Sequence, residues 1–120
     1  MQIALDSPLD RLAGFLANHP PRLNEILGTV CELYRTDPDR IDTATHTRRV
    51  FCFVASRWAR CPRCEIASHV KIHLIQVHHD NQRIGQQIQY DDLLRDDLDL
   101  VAVRLAERVL IRKADAKAHT

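Results

Sequence analysis

Glycine is scarce: three residues in a chain of 120. A β-rich chain of this length needs many tight turns, and turns with positive φ draw on glycine. That scarcity argues against a sandwich or a barrel. Aromatic side chains make up only 5% of the chain, so aliphatic residues must fill the core; at 45% apolar content there are enough of them for one. No apolar run is long enough to span a bilayer, and the first residues hold no leader-like apolar stretch. The formal net charge of +1 makes the chain no polycation. Four cysteines without a secretory leader read as thiols or metal ligands, not as a disulfide frame. These absences point to one all-α domain in the cytoplasm.

The charge that is present is sorted along the chain. Within residues 43–79, six cationic side chains and five histidines accompany a single acid, Glu65. Within residues 84–100, five aspartates accompany a single cation, Arg95. A neutral total split in this way suits a binding face; two ordinary solvated faces are the plainer alternative.

Apolar spacing and capping residues predict the helices. Ser7-Pro8 pairs an N-cap with an N1 proline and opens a helix through Leu9, Leu12, Ala13 and Leu16, ended by Pro20-Pro21. Leu23, Ile26, Leu27, Val30, Leu33 and Tyr34 form the next stripe, and Asp37-Pro38 opens a short turn. Thr43 or Thr45 caps a third helix with Val50, Phe51, Val54 and Trp58 inside and Arg48, Arg49 and Arg57 outside. Short and long helices follow at 65–70 and 74–89, and the last runs from 90 to about 113, burying Leu94, Leu98, Val101, Leu105 and Val109. Residues 1–21 thus read as an N-terminal helical extension, 22–113 as a helix-turn-helix domain and 114–120 as a flexible tail.

Sparse identities run through the second half. Val30-Cys31, Tyr34, Pro38 and Ile41 are followed by Thr47-Arg48-Arg49-Val50, by Glu65-Ile66 with His69-Val70, and by Val77, His79, Arg83 and Ile84. Ile88, Asp92, Arg95, Asp97 and Leu98 close the pattern. Together they resemble the C-terminal DNA-binding domain family of the bacterial replication initiator DnaA. The resemblance covers about two thirds of the chain. It implies a small all-α domain with a helix-turn-helix core, of the DnaA domain IV or Trp-repressor kind, that binds double-stranded DNA in a regulatory or replication-related role. Where that family carries Asp-His-Thr-Thr at the start of its recognition helix, this chain has His73-Leu74-Ile75-Gln76. The family's minor-groove Arg falls on Cys52, with Arg48 and Arg49 one turn earlier as substitutes.

A helix entering the major groove reads base edges from its N-terminal turn. Gln76 can pair with adenine, Ile75 or Leu74 can touch a thymine methyl, and His73 and His79 can donate to phosphate or guanine. Lys71, Arg48 and Arg49 would neutralise phosphates, which supply affinity without sequence information, and Arg83 is a further nucleic-acid-binding candidate through its match to the family's recognition helix. The histidines gain charge as pH falls, so binding should strengthen. The alternative is that Leu74 and Ile75 pack in the core and that Gln76 and the histidines are merely solvated.

Cys61 and Cys64, followed by His69 and His73, carry the ligand types of a structural zinc site. Zinc is an alternative stabiliser here; no cofactor is otherwise expected. Enzymatic readings find no phosphate-cradling loop and no strained nucleophile turn, so the expectation is a non-enzyme without an ATPase. The second functional reading is a protein-interaction module that keeps the fold, with a protein partner or a second copy docking through the N-terminal or the last helix.

Overall fold

The computed structural model describes residues 8–118. α1 spans Pro8–Asn18, where Pro8 supplies the fixed φ of a first helical position; the expected Ser7 cap and the Leu9 side chain lie outside the described residues. Pro20 and Pro21 separate α1 from α2, Leu23–Tyr34. At the start of α2 the Arg22 backbone N–H donates to the Glu25 carboxylate at 2.8 Å. α2 ends in a left-handed residue, Arg35 (φ 52°), and the next N–H, of Thr36, reaches back to the Cys31 carbonyl at 2.9 Å. The Asp37 carboxylate accepts from the Asp39 N–H at 3.0 Å and opens a one-turn 3₁₀ helix, Pro38–Arg40.

α3 spans Thr45–Trp58. Neither expected threonine caps it. The chain enters the helix at Ala44, between the two, and Thr43 Oγ1 donates to the Arg40 carbonyl at 3.1 Å instead. α4 is Arg63–His69 and α5 is Leu74–Gln87, joined by residues 70–73. α6 is Asp92–Ala118. It starts two residues later than expected because the Asp91 carboxylate takes the cap, accepting from the Leu94 N–H at 3.0 Å. It also runs longer. The expected tail is helical as far as Ala118, consistent with the high helix propensity of the alanines and lysines there.

Among the described residues there is no strand, and the architecture is all-α. α3 lies at the centre, packed on α2, α4 and α5, while α6 packs along α1 and α2. Phe51 is the largest fully buried side chain and is joined by Ile26, Val30, Val50, Val54, Ile66, Val77 and Ile84. Val101, Leu105 and Val109 bring one side of α6 into the same core. Truncating a buried phenylalanine such as Phe51 to alanine removes about 3–5 kcal/mol. α1 contributes Leu16, which is fully buried, so this helix of the expected N-terminal extension is docked as part of the core.

Two arginines also tie α6 to α2. Arg112 pairs with Glu25 (2.9 Å) and Arg108 with Glu32 (2.6 Å). Burial alone would raise the Glu25 carboxyl; hydrogen bonds from Arg112 and from the Arg22 N–H outweigh it and leave the group below its ordinary value. Arg108 reaches Glu32 by lying across Gly28, where a Cβ would sit 2.8 Å from its Nη1. That close approach gives a reason for a glycine inside α2.

Candidate nucleic-acid interface

α5 has two sides with different chemistry. Val77, Asp80 and Ile84 recur at helical spacing and are fully buried. His73 at the cap and Leu74, Ile75, His78, His79, Gln82, Arg83 and Gln86 along the helix are exposed. An aspartate on the inner stripe needs partners, because a buried charge without them is strongly unfavourable.

α3 and α5 itself supply those partners. Arg48 donates from Nε to Asp80 Oδ2 at 2.8 Å and from Nη2 to Oδ1 at 3.2 Å, a two-bond fork. Gln76, one turn before Asp80, donates from Nε2 to Oδ1 at 2.9 Å. Arg49 brings its Nε to 3.7 Å from Oδ1, close enough for charge attraction but too far for a hydrogen bond. Arg48 is anchored at its other end, from Nη1 to the Asp42 carbonyl at 2.9 Å. The hydrogen bond to Asp80 raises the Arg48 guanidinium further above its already high value. Burial, followed by the Asp80 charge, pushes the Cys52 thiol up to about 12, so it stays protonated beside the carboxylate. Asn81 adds a second tie between the same helices, from Nδ2 to Ser56 Oγ at 2.8 Å.

This network relocates two of the sequence-predicted contacts. Arg48 is not on the outer face: its side chain is 11% exposed and committed to Asp80. Gln76 is likewise held by Asp80 and is not free to meet a base. Arg49 is partly exposed, at 32%, with its Nε end turned inward. Lys71, His73, Ile75, His79 and Arg83 are all exposed, together on the turn before α5 and on its outer side. The alternative that Leu74 and Ile75 fill the core is overturned, since they are 53% and 65% exposed. They line an open groove with Pro62, Arg63 and Cys64 of the α4 start and with His78.

The turn between α4 and α5 depends on Lys71, which adopts the left-handed conformation at φ 58°. Its N–H donates to the Ser68 carbonyl at 3.3 Å and that of Ile72 to the Ala67 carbonyl at 3.0 Å, the double bond pattern that ends a helix and reverses the chain. Glycine is the usual residue at such a position. His73 then starts α5 in extended geometry, with no side chain capping the first N–H groups.

Asp80 is the residue that sequence reasoning missed. A signal existed: an acid at the third position after Val77 and the fourth before Ile84 lies on the apolar stripe. The four candidate zinc ligands scatter. Cys61 and His69 border a groove beside the α1–α2 linker, with the His69 ring stacked on Phe51 at 6.1 Å. Cys64 is exposed in the α4–α5 groove, and His73 sits at the cap of α5. Among the described residues no three His, Cys, Asp or Glu side chains gather as a metal-binding group. Nor is any described helix long and apolar enough to cross a membrane. No protein-family model, no curated protein and no solved structure matches the chain.

Proposed function

We propose that this protein binds duplex DNA, with α4 and α5 acting as a helix-turn-helix and the outer side of α5 entering the major groove. One observation carries the reading. Residues 66–90 contain a single acid, Asp80, and it is buried against Arg48. The surface of α5 and its leading turn is therefore free of negative charge, while Lys71, Arg83, three exposed histidines and Arg63 of α4 surround it. Such a face attracts phosphate without repulsion. Arg49, Lys71 and Arg83 are the phosphate contacts; Ile75 and His79 are the side chains placed to meet base edges. Arg48 and Gln76 position α5 instead of touching DNA. A regulatory or replication-related role accords with the sequence resemblance.

The test is fluorescence anisotropy of a labelled duplex pool titrated at low and moderate salt. Binding should weaken linearly in log–log form, by about 0.9 per phosphate neutralised. Lys71→Ala with Arg83→Ala should flatten that slope by about two such contacts. Arg48→Ala is a poor probe, because it breaks a buried ion pair. Absence of binding at low salt would end this reading. The exposed Leu74 and Ile75 beside Pro62 and Cys64 favour a second one, a protein partner with an apolar side chain seated in the α4–α5 groove. Under it, Ile75→Ser abolishes partner capture and salt has little effect.

A further inference from the structure

Where α3, α6 and the end of α5 meet, the helices leave a cavity of about 250 Å³ that opens to solvent. α3 packs on α2, α4 and α5, while α6 packs on α1 and α2, so the cavity lies on the seam between two groups of helices. Close-packed interiors hold few voids larger than a water molecule. The walls of this one are mostly apolar: Phe53 and Trp58 from α3, Ile88 at the C-cap of α5 and Leu98 from α6, each only partly buried. A cavity of about 150 Å³ holds a benzene ring, so this one has room for about ten non-hydrogen atoms. Leucine has that size, as has phenylalanine with its polar end at the mouth.

Of the described residues, Arg57, Arg95 and Asp99 bring charge to this cavity. Arg95 is met by Asp92. Arg57 and Asp99 take part in no ion pair among the described residues. They stand on different helices, α3 and α6, and carry opposite signs. Arg57 lies over the Trp58 ring, 5.7 Å from its centroid. Burial, and then the charge of Asp96 outside the lining, hold the Asp99 carboxyl above its ordinary value, so an ammonium beside it would offset both. A shifted titratable group in an apolar cleft is a mark of a binding site. A plain anion would satisfy Arg57 and be repelled by Asp99, and a plain cation the reverse. A molecule with both charges satisfies both.

We infer that this cavity binds an apolar α-amino acid, with its carboxylate on Arg57, its ammonium on Asp99 and its side chain against Phe53, Trp58, Ile88 and Leu98. Both contacts are charge-assisted, and the apolar body takes the space the helices leave open. The bound molecule joins α3 to α6 across the seam. Ile88 lies at the opposite end of α5 from the His73 cap, so the site is separate from the turn proposed to meet DNA. The inference does not depend on the DNA reading, and its test contains no DNA.

Trp58 is the only tryptophan of the chain, so its fluorescence reports on the cavity directly, and isothermal titration calorimetry gives the Kd. L-Leucine or L-phenylalanine should bind the full chain with a Kd of about 1 mM or below. Glycine, which lacks the apolar body, should not bind. Removing either charge should weaken binding about tenfold or more: 4-methylpentanoate and 3-methylbutylamine are the probes for leucine, 3-phenylpropanoate and 2-phenylethylamine those for phenylalanine. Asp99→Asn and Arg57→Gln should each weaken binding of the amino acid by a similar factor, with an unchanged far-UV circular dichroism spectrum. Absence of saturation by both amino acids up to about 20 mM would overturn the proposal. So would a singly charged probe that binds as tightly as its parent, or either variant binding as tightly as wild type.

Discussion

Removing the Asp80 carboxylate is the sharpest test of how this fold is held. Asp80→Ala deletes both Arg48 bonds, of 2.8 and 3.2 Å, and the 2.9 Å bond from Gln76. It leaves the Arg48 side chain, 11% exposed in the intact fold, with Arg49 close by and no anion between them. Losing one partner of a buried pair costs about 3–5 kcal/mol, because the remaining charge stays desolvated. Against a total stability of about 5–15 kcal/mol that is a large share. For a chain of this length it corresponds to a fall in Tm of about 10–20 °C. The assay is urea and thermal unfolding followed by circular dichroism at 222 nm. A double-mutant cycle isolates the pair: Asp80→Leu and Arg48→Met should each be strongly destabilising, and the double variant should be more stable than either, since both charges are then gone. Losses that add to within about 0.5 kcal/mol would show that the two residues do not act together. So would an Asp80→Ala loss below about 1 kcal/mol, and either result would refute the network as the tie between α3 and α5.

Lys71→Gly should stabilise the protein by about 0.5–1 kcal/mol in the same unfolding assay, because glycine relieves the left-handed strain; it should also lower the salt slope of duplex binding by about one contact. The Cys52 thiol, raised from about 9 to about 12, contributes stability that is fully present below pH 9 and is lost as pH rises toward 12. Cys52→Ala should therefore flatten the alkaline limb of a pH–stability curve, and a thiol reagent should label exposed Cys64 in the native protein but Cys52 only after unfolding. Glu25 lies below its ordinary value, so its pairing with Arg112 stabilises the fold above that value and is lost as pH falls through the lower, folded one. Glu25→Gln should cost about 1–2 kcal/mol at pH 7, the pair being partly screened by solvent, and the difference from wild type should vanish in acid.

Local pattern carried most of the helices. The stripes of α2 and α3 and the proline-led starts at Pro8 and Pro38 depend on neighbours within one or two turns, so spacing alone shows them. The Asp91 cap and the extra turns of α6 were missed because several adjacent residues can start or continue a helix, and only the backbone path selects among them. The exposed positions Lys71, His73, Ile75, His79 and Arg83 were legible as a group because they lie close together in the chain.

What the sequence determined by itself is therefore the helical class, the apolar stripes and the separation of basic and acidic segments. The tertiary structure decided what those charges do. Arg48 and Asp80 are 32 positions apart, and nothing local assigns one to the other. Once α3 packs on α5, the buried carboxylate draws Arg48 and Gln76 inward and leaves the outer side of α5 without an acid. An arginine on an amphipathic helix can neutralise a phosphate or a buried aspartate. Which one it meets is fixed by desolvation, because a charge sealed in the core loses far more without a partner than one left in water.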